Sequence, residues 1–234
     1  GDYATAIYNG ACDPFIEDVT ANASGGTKNY GIYNHSESFT AISHPRLVGV
    51  SASASGGNES MGVYNWNSSP AMTDVTAAAS GAGGRNYGIL NHTSSPVMTR
   101  VAAAASDGGL NNYGVHNVTS SPVMTDVTAT ASGASSTNSG VRNEDYSDPV
   151  MTRVATSATG GAGSYGVYNT GFSDPVIRQC TLSGAAEGLH VVDGTTRIVR
   201  SSIAGAVNRV GGTLTCVHAV SGTGAELGFN CLPL

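Results

Sequence analysis

The sequence predicts an all-β chain folded as a single right-handed parallel β-helix (β-solenoid) of about nine coils, with ~23–26 residues in each coil. Three observations predict this fold. A motif recurs at a nearly constant interval, apolar and polar residues alternate within it, and Gly, Asn and β-branched residues leave no helical period. Strands this short cannot all find partners within one repeat. We therefore expect each strand to pair in parallel with its equivalent in the neighbouring coils.

The repeat is marked by an aromatic-Gly-aliphatic-x-Asn motif. It reads YGIYN at 30, MGVYN at 61, YGILN at 87, YGVHN at 113, SGVRN at 139 and YGVYN at 165, after a degenerate TAIYN at 5. The interval is 26 residues from 61 to 165 and about 23 afterwards. We divide the single domain, 1–234, into regular repeats over 1–187, a shorter coil over 188–210 and a C-terminal capping segment over 211–234. Because the chain opens within a repeat, we expect its N-terminus to be cut in mid-coil.

Each repeat contains two apolar segments that are typical of strands. In YGVYN and its copies, the first and third residues alternate with the Gly and the fourth residue, which places the Tyr and the Val on one face. A polar loop and a Pro follow, and then a segment such as VMTDVTATAS. There we expect Met124, Val127, Ala129 and Ala131 to point inward, with a bend near Asp126. A Gly-rich turn closes the repeat.

A column of charged residues explains why SSPVMTRV at 94 returns as SSPVMTDV at 120. The residue before the inward Val is in turn Asp18, Gly49, Asp74, Arg100, Asp126, Arg153 and Gln179. In stacked coils each of these residues faces its equivalent at about one strand spacing. Like charges would then repel each other, whereas alternating charges attract. The exchange of Arg for Asp is therefore interpreted as structural.

These repeats resemble the right-handed parallel β-helix repeats of the pectin-lyase-like superfamily, and most closely those of large bacterial and phage surface proteins. The likeness covers nearly the whole chain and rests on phrases of the type GIYN followed by SSP-x-MT-x-VT. It implies an asparagine ladder, because the fifth motif position is Asn in seven successive units: Asn9, Asn34, Asn65, Asn91, Asn117, Asn143 and Asn169. Asn also tolerates the left-handed backbone of a coil corner. Such motifs specify the fold much better than the function.

The fourth motif position is the first candidate for function, because its residues should point outward. It is Tyr8, Tyr33, Tyr64, Leu90, His116, Arg142 and Tyr168, beside a column of glycines that would form a flat floor. Aromatic rings over an open strip suit sugar rings. The candidate binding residues are Tyr8, Tyr33, Tyr64, Trp66, His116 and Tyr168. The alternative is that an outward Tyr is simply a good strand residue.

The second candidate lies in two loops that are one residue longer than their neighbours, NEDYSDPV at 143 and NTGFSDPV at 169. They place Asp148 and Asp174 on adjacent coils, beside an aromatic residue in each loop. Two carboxylates about 5 Å apart are typical of a retaining glycosidase. They would also suit Ca²⁺, the one cofactor we consider. The third interpretation is that Asp before Pro is a turn residue.

Composition restricts the partners. The net charge is −6 and only 11% of residues are charged, so no basic stripe is present for nucleic acid. No apolar run approaches the ~18 residues of a membrane-spanning helix, which argues against membrane insertion. We expect a disulfide between Cys216 and Cys231 to close the last coil.

The leading hypothesis is a non-catalytic extracellular or cell-surface module, a rigid surface or fibre scaffold that binds polysaccharide or a cell-surface glycan along its side. One alternative is a carbohydrate-active enzyme on the same fold, either a glycoside hydrolase or a polysaccharide lyase. Another is a self-assembling fibre subunit, which would form homo-oligomers or join end to end through an uncapped first coil. Regular repeats favour the first hypothesis, because catalytic coils usually break the pattern with long loops.

Overall fold

The computed structural model describes residues 1–37 and 42–231, which form strands and turns and contain no helix. In chain order the strands are β1 Tyr3–Gly10, β2 Phe15–Glu17, β3 Thr20–Ser24, β4 Lys28–His35, β5 Arg46–Val48, β6 Ser51–Ser55, β7 Glu59–Trp66, β8 Ala71–Thr73, β9 Thr76–Ser80, β10 Arg85–His92, β11 Val97–Thr99, β12 Ala102–Ser106, β13 Asn111–Val118, β14 Val123–Thr125, β15 Thr128–Ser132, β16 Thr137–Glu144, β17 Val150–Thr152, β18 Ala155–Thr159, β19 Gly163–Asn169, β20 Val176–Arg178, β21 Thr181–Val191, β22 Thr195–Val199, β23 Ser202–Arg209, β24 Thr213–Val217 and β25 Val220–Ser221.

The strands stack in three parallel ranks, which confirms the predicted β-solenoid. The first strand of each coil pairs with the first strand of the next, as in β1-β4-β7-β10-β13-β16-β19, and the third strands pair in the same way from β3 to β18. The second strands form their own sheet of nine, from β2 to β24. The registers join equivalent residues, for example Ile89 with Val115 and Met98 with Met124. Every strand therefore depends on its neighbouring coils for its hydrogen bonds.

The described residues make about seven regular turns, slightly fewer than the nine coils that the sequence predicts. The remaining two turns are shorter, and their strands merge. β21 pairs with β18 through its first residues and with β19 through its last ones. β23 likewise pairs with both β21 and β25. The third strand of one coil thus continues directly into the first strand of the next.

The core is a set of apolar columns that run along the solenoid. Met124, Val127, Ala129 and Ala131 are all buried, as predicted. Their equivalents in the neighbouring coils are buried too, so each coil contributes the same few small and medium side chains. Because stacked coils repeat at about one strand spacing, a side chain packs mainly on copies of itself. Similar volumes in one column therefore allow the coils to pack closely on each other.

The glycine column lies inside this narrow core and is not an open floor, so that prediction is wrong. Gly62, Gly88 and Gly114 are buried. A Cβ added to Gly88 would lie 2.6 Å from the backbone N of Ala104 and 2.6 Å from the carbonyl O of Gly114. The first and third strands of a coil therefore touch backbone to backbone at this point. Only glycine permits such an approach.

The asparagine ladder is confirmed. Each side-chain amide donates to the Oδ1 of the next, for instance Asn91 to Asn117 at 2.9 Å and Asn117 to Asn143 at 2.9 Å. The column begins at Asn9 and ends on the hydroxyl of Thr196. The sequence also led us to expect a left-handed backbone at these asparagines, and none of them has it. That conformation falls two residues later, for example at Asn67 and Thr119, with φ of 49° and 50°.

Further polar ladders were not predicted. A second asparagine column is buried at the start of the first strands, where Asn86 donates to Asn112 at 3.0 Å and Asn112 to Asn138 at 3.3 Å. Serines two residues before the prolines form another column, in which the Ser94 N–H donates to the Ser120 Oγ at 2.9 Å. Each ladder satisfies polar groups that burial would otherwise leave without partners. Together they fix the distance and the register between coils.

The charged column forms the left-handed corner of each coil. Asp74, Arg100, Asp126 and Arg153 have φ between 53° and 55°, and the same corner is glycine at Gly49. Arg100 donates to both carboxylate oxygens of Asp74 at 2.7 and 2.8 Å, and Arg153 does so to Asp126 at 2.6 and 2.9 Å. These hydrogen bonds lower the pKa of both aspartates. The predicted pairing thus exists as two separate bidentate pairs.

A disulfide joins Cys216 to Cys231, with the two Cα atoms 5.1 Å apart. Both cysteines are buried in the last coil, and the Cys216 N–H donates to the carbonyl O of Phe229 at 2.8 Å. The covalent bond therefore holds the chain across the end of the apolar columns. Cys12 is an exposed free thiol, and Cys180 is a buried one.

Replacing Arg100 by Asp should lower the melting temperature at low ionic strength. The change removes the bidentate pair with Asp74 and inserts a third carboxylate between Asp74 and Asp126. Arg100→Asn is the matched control, because Asn accepts the same left-handed backbone without a charge. We expect the Asp variant to melt below the Asn variant, by a difference that shrinks as salt is added. Equal melting temperatures at low salt would show that the corner charges do not interact.

Replacing Asn117 by Ala should destabilise the fold by about 2–5 kcal/mol, because it leaves the amide of Asn91 and the Oδ1 of Asn143 buried without partners. Urea unfolding of the variant and the parent chain measures this difference. Asn22→Ala is the control, since Asn22 is exposed and should change stability little. Equal losses in the two variants would contradict a structural role for the ladder.

Candidate functional site

A stripe of aromatic rings runs along the outside of the first strands. We call it the aromatic stripe, and its members are Tyr3, Tyr8, Tyr30, Tyr33, His35, Tyr64, Trp66, Tyr87, Tyr113, His116, Tyr165, Tyr168 and His190. The rings stack on their equivalents in the neighbouring coils. The centroids of Tyr33 and Tyr64 are 4.9 Å apart at 8°, and those of Tyr168 and His190 are 4.7 Å apart at 3°. This separation is close to the spacing of paired strands. The backbone register therefore creates the ring stack.

The stripe contains a ring column that the sequence analysis assigns to the wrong face. Tyr30, Met61, Tyr87 and Tyr113 begin the repeat motif and were expected to point inward with the Ile and Val positions. They instead form a buried cluster of their own, separate from the main core. The pairing skips the following glycine, with Tyr87 paired to Tyr113 and Ile89 to Val115, and the alternation of faces restarts there. The first and fourth motif residues consequently share the outer side.

This arrangement changes the environment of the predicted binding residues. Tyr8 is 56% exposed, whereas Tyr33, Tyr64, Trp66 and Tyr168 are half-buried. Tyr33 and Tyr64 pack on the buried ring cluster.

His116 is only 8% exposed, so this predicted binding residue is largely covered although it lies on the outer side. Its ring lies against Tyr87 and Tyr113, with centroids 5.8 and 4.8 Å away. Where neighbouring rings stack, as Tyr33 on Tyr64 and Tyr168 on His190, they cover part of each other's faces.

A groove of about 460 Å³ opens on the stripe over the first three coils. Its walls are formed by Tyr3, Thr5, Tyr8, Lys28, Tyr30, Tyr33, Tyr64 and Trp66. Burial raises the pKa of Tyr64 to about 12 and also raises that of Tyr33. Their hydroxyls therefore stay neutral and can both donate and accept hydrogen bonds. Lys28 is held at the edge of the groove by Glu59, at 2.9 Å.

A charged network interrupts the rings in the middle of the stripe. Glu144 Oε2 accepts from His116 Nε2 at 3.0 Å and from Arg142 Nε at 3.0 Å. The Arg142 guanidinium also lies over the ring of Tyr168, 4.6 Å from its centroid. Burial lowers the pKa of His116, so the ring is neutral and donates its Nε2–H. The hydrogen bonds from His116 and Arg142 lower the pKa of Glu144 to about 2.

The second candidate site consists of Asp148 and Asp174, which lie on adjacent coils. They occupy the same column as Ser95 and Ser121 in the preceding coils. The Asp148 N–H donates to the Ser121 Oγ at 3.0 Å, and the Asp174 N–H donates to the Asp148 Oδ1 at 2.7 Å. The Asp174 Oδ1 accepts in turn from the Thr195 N–H. Each carboxylate therefore accepts a hydrogen bond from a backbone N–H of the next coil, as the serine hydroxyls of this column do in the other coils. These contacts are those of a turn residue. The sequence contains the signal for this, since SSP and SDP occupy the same place in the repeat.

Two further properties concern metal binding and membrane spanning. Across residues 1–37 and 42–231, no three His, Cys, Asp or Glu side chains converge closely enough to bind a metal ion. The same residues contain no helix with the length and apolar character needed to cross a membrane.

Comparison with protein-family models gives no match for this sequence, and comparison with curated proteins gives no significant match.

Replacing Glu144 by Gln tests the charged network. The pKa of Glu144 is lowered from 4.5 to about 2, so the carboxylate stabilises the fold above pH 4.5. That stabilisation is lost as the pH falls towards 2. We expect Glu144→Gln to melt below the parent chain at pH 7, with a difference that narrows between pH 4.5 and 2. Glu17→Gln, at an exposed position, should show no such change. A difference that does not vary with pH would contradict the assignment.

Proposed function

We propose that this chain is a non-catalytic scaffold module of an extracellular or cell-surface protein, a rigid rod that binds polysaccharide along its aromatic stripe. The observation that carries the proposal is the continuity of the columns. Backbone pairing, two asparagine ladders and a serine ladder connect successive coils in one register. Nine stacked second strands correspond to a rod roughly 40 Å long at one strand spacing per coil. Such a rod resists bending, because any bend would break several ladders together.

The extracellular assignment is supported by the Cys216–Cys231 disulfide. Disulfides persist in oxidising compartments and are rare in the cytosol. The resemblance of the repeats to those of bacterial and phage surface proteins agrees with it. From the same repeats, together with the asparagine ladder, we infer membership of the pectin-lyase-like superfamily.

The groove over the first three coils supports polysaccharide as the ligand. Its walls combine exposed ring surface on Tyr3 and Tyr8 with neutral hydroxyls and a lysine, a mixture that suits the apolar faces and hydroxyl groups of a sugar. Because equivalent rings recur in coil after coil, an extended chain can contact several of them. Affinity should therefore be weak for a single sugar and increase with chain length.

A glycan array followed by titration with the best polymer tests this proposal. Tyr8→Ala should weaken binding about tenfold while the melting temperature changes little, because Tyr8 is exposed. Tyr33 and Tyr64 are unsuitable for this test, because their rings also support the packing. Phe229→Ala is the control, since that ring is 72% exposed and distant in sequence from the groove. Equal binding by the Tyr8 variant and the control would place the ligand elsewhere.

The same preparation distinguishes the alternatives. Release of reducing ends from a bound polymer, abolished in the double variant Asp148→Ser and Asp174→Ser, would make the chain a glycosidase. Serine occupies this column in the neighbouring coils, so the double variant keeps the backbone contacts. Sedimentation that shows concentration-dependent polymers would instead indicate a fibre subunit. Either result would contradict a monomeric, non-catalytic scaffold.

A further inference from the structure

Two aromatic rings stand away from the stripe and are among the most exposed apolar side chains of the described chain. Tyr146 is 68% exposed and Phe172 is 59% exposed. They stack on each other from adjacent coils, with centroids 5.8 Å apart at 20°. We call them the Tyr146–Phe172 ledge. Unlike the rings of the stripe, they rest on no buried cluster, and an incoming group can reach their outer faces.

The backbone of the two longer loops holds the ledge in place. Two successive residues are left-handed in each loop: Asp145 and Tyr146 with φ of 52° and 60°, and Gly171 and Phe172 with φ of 65° and 59°. Bulky residues rarely adopt this conformation. The Tyr146 N–H donates to the Gly171 carbonyl at 2.7 Å, and the Phe172 N–H donates to the Asp193 Oδ1 at 2.7 Å. The rings are therefore presented outward at a cost in backbone strain, which is typical of functional positions.

The surroundings of the ledge are acidic and unneutralised. Asp193 accepts from Phe172, and Asp148 accepts from Asp174 in the same two loops. A Cβ on Gly171 would lie 2.9 Å from the Asp145 Oδ1, so that carboxylate also borders the ledge. None of these four aspartates forms an ion pair with a described Lys, Arg or His. Elsewhere Glu59, Asp74, Asp126, Glu144 and Glu187 are paired, whereas exposed carboxylates such as Glu17, Asp18 and Asp107 also have no ion pair among the described residues. What distinguishes the ledge is that four unpaired carboxylates lie in or beside the two loops that carry its rings.

We propose that the Tyr146–Phe172 ledge is a docking site for an arginine side chain of a partner protein. A guanidinium is planar, so it stacks on an aromatic face, and its N–H groups donate to carboxylates in the same plane. A quaternary ammonium group could interact with the rings but has no N–H to donate to the carboxylates. A lysine ammonium group would interact mainly with the carboxylates. Rings and carboxylates together match the guanidinium best.

The chain builds the same constellation internally. Arg142 lies 4.6 Å over the ring of Tyr168 while its Nε donates to Glu144 at 3.0 Å. Arg46 lies over the ring of Phe15 at 5.2 Å. At the ledge the rings and the carboxylates are present, and the described residues place no arginine over these rings. A partner would therefore complete an arrangement that this fold already uses. The proposal does not depend on polysaccharide binding at the groove.

The test is a fluorescence-anisotropy titration of the full chain with a labelled glycine peptide that carries two arginines, alongside its counterpart with two lysines. The arginine peptide should bind more tightly than the lysine peptide. The double variant Tyr146→Asn and Phe172→Asn should weaken arginine binding at least tenfold. Asn accepts the left-handed backbone, so this variant should melt no lower than the parent chain. Phe229→Asn, which removes an exposed ring elsewhere, should bind like the parent chain.

A second variant keeps the test decisive if the ring variant fails to fold. Asp148→Ser with Asp174→Ser removes two carboxylates and retains the column contacts, and it should also weaken arginine binding at least tenfold. If both peptides bind equally well and loss of the rings does not change their affinity, binding is due to charge attraction alone. That result would overturn the proposal. Absence of binding by the parent chain at millimolar peptide would overturn it as well. Loss of self-association in the ring variant would identify the occupant as a second copy, and loss of glycan binding would identify it as a sugar. Either outcome would also overturn the proposal.

Discussion

Hydrogen bonding between equivalent backbone positions of successive coils is the constraint on which the rest of this structure depends. Most strands have only three to eight residues and are too short to be stable alone, so each is held by its copies above and below. This pairing sets a repeat of about one strand spacing along the rod. Every side chain consequently faces a copy of its own position. The sequence is thereby restricted to residues that tolerate, or benefit from, contact with themselves.

The columns illustrate this restriction. An amide both donates and accepts, so asparagine can stack on asparagine in a buried column without leaving a polar group unsatisfied. A hydroxyl that accepts from the next backbone N–H serves the same purpose in the serine column. A charged residue would repel a copy of itself in the next coil. For that reason Asp74 is followed by Arg100, and Asp126 by Arg153. Glycine is required where the first and third strands touch, as Gly88 shows. The low charge and high glycine content follow from these contacts.

The sequence was sufficient to predict features that depend on period alone. The burial of Met124 and Val127, the Asn117 ladder and the pairing of Arg100 with Asp74 all follow from counting residues between equivalent positions. It was insufficient where the local geometry departs from a straight strand. The alternation of faces is interrupted at Gly114, so Tyr113 lies on the outer side with His116, whereas strict alternation assigned Tyr113 inward. The bend expected near Asp126 is a left-handed corner, and Gly49 in the same column is consistent with it, although Arg100 by itself carries no signal for that conformation. At Tyr146 and Phe172 a second left-handed residue follows the usual left-handed corner residue, and at this corner of the described coils that occurs only in the two longer loops.

The same constraint separates the surfaces of the rod into two kinds. Where the repeat is regular, aromatic residues are in register and cover each other's faces, as Tyr33 and Tyr64 do. Such a surface offers edges and hydroxyls and gains rigidity from its own stacking. Where a loop is longer than its neighbours, register constrains the side chains less, and a ring such as Phe172 keeps a free face. In a fold that uses ring faces to stabilise itself, rings with a free face are therefore found at the first coil, as Tyr3 and Tyr8 are, and at departures from the repeat, as Phe172 is.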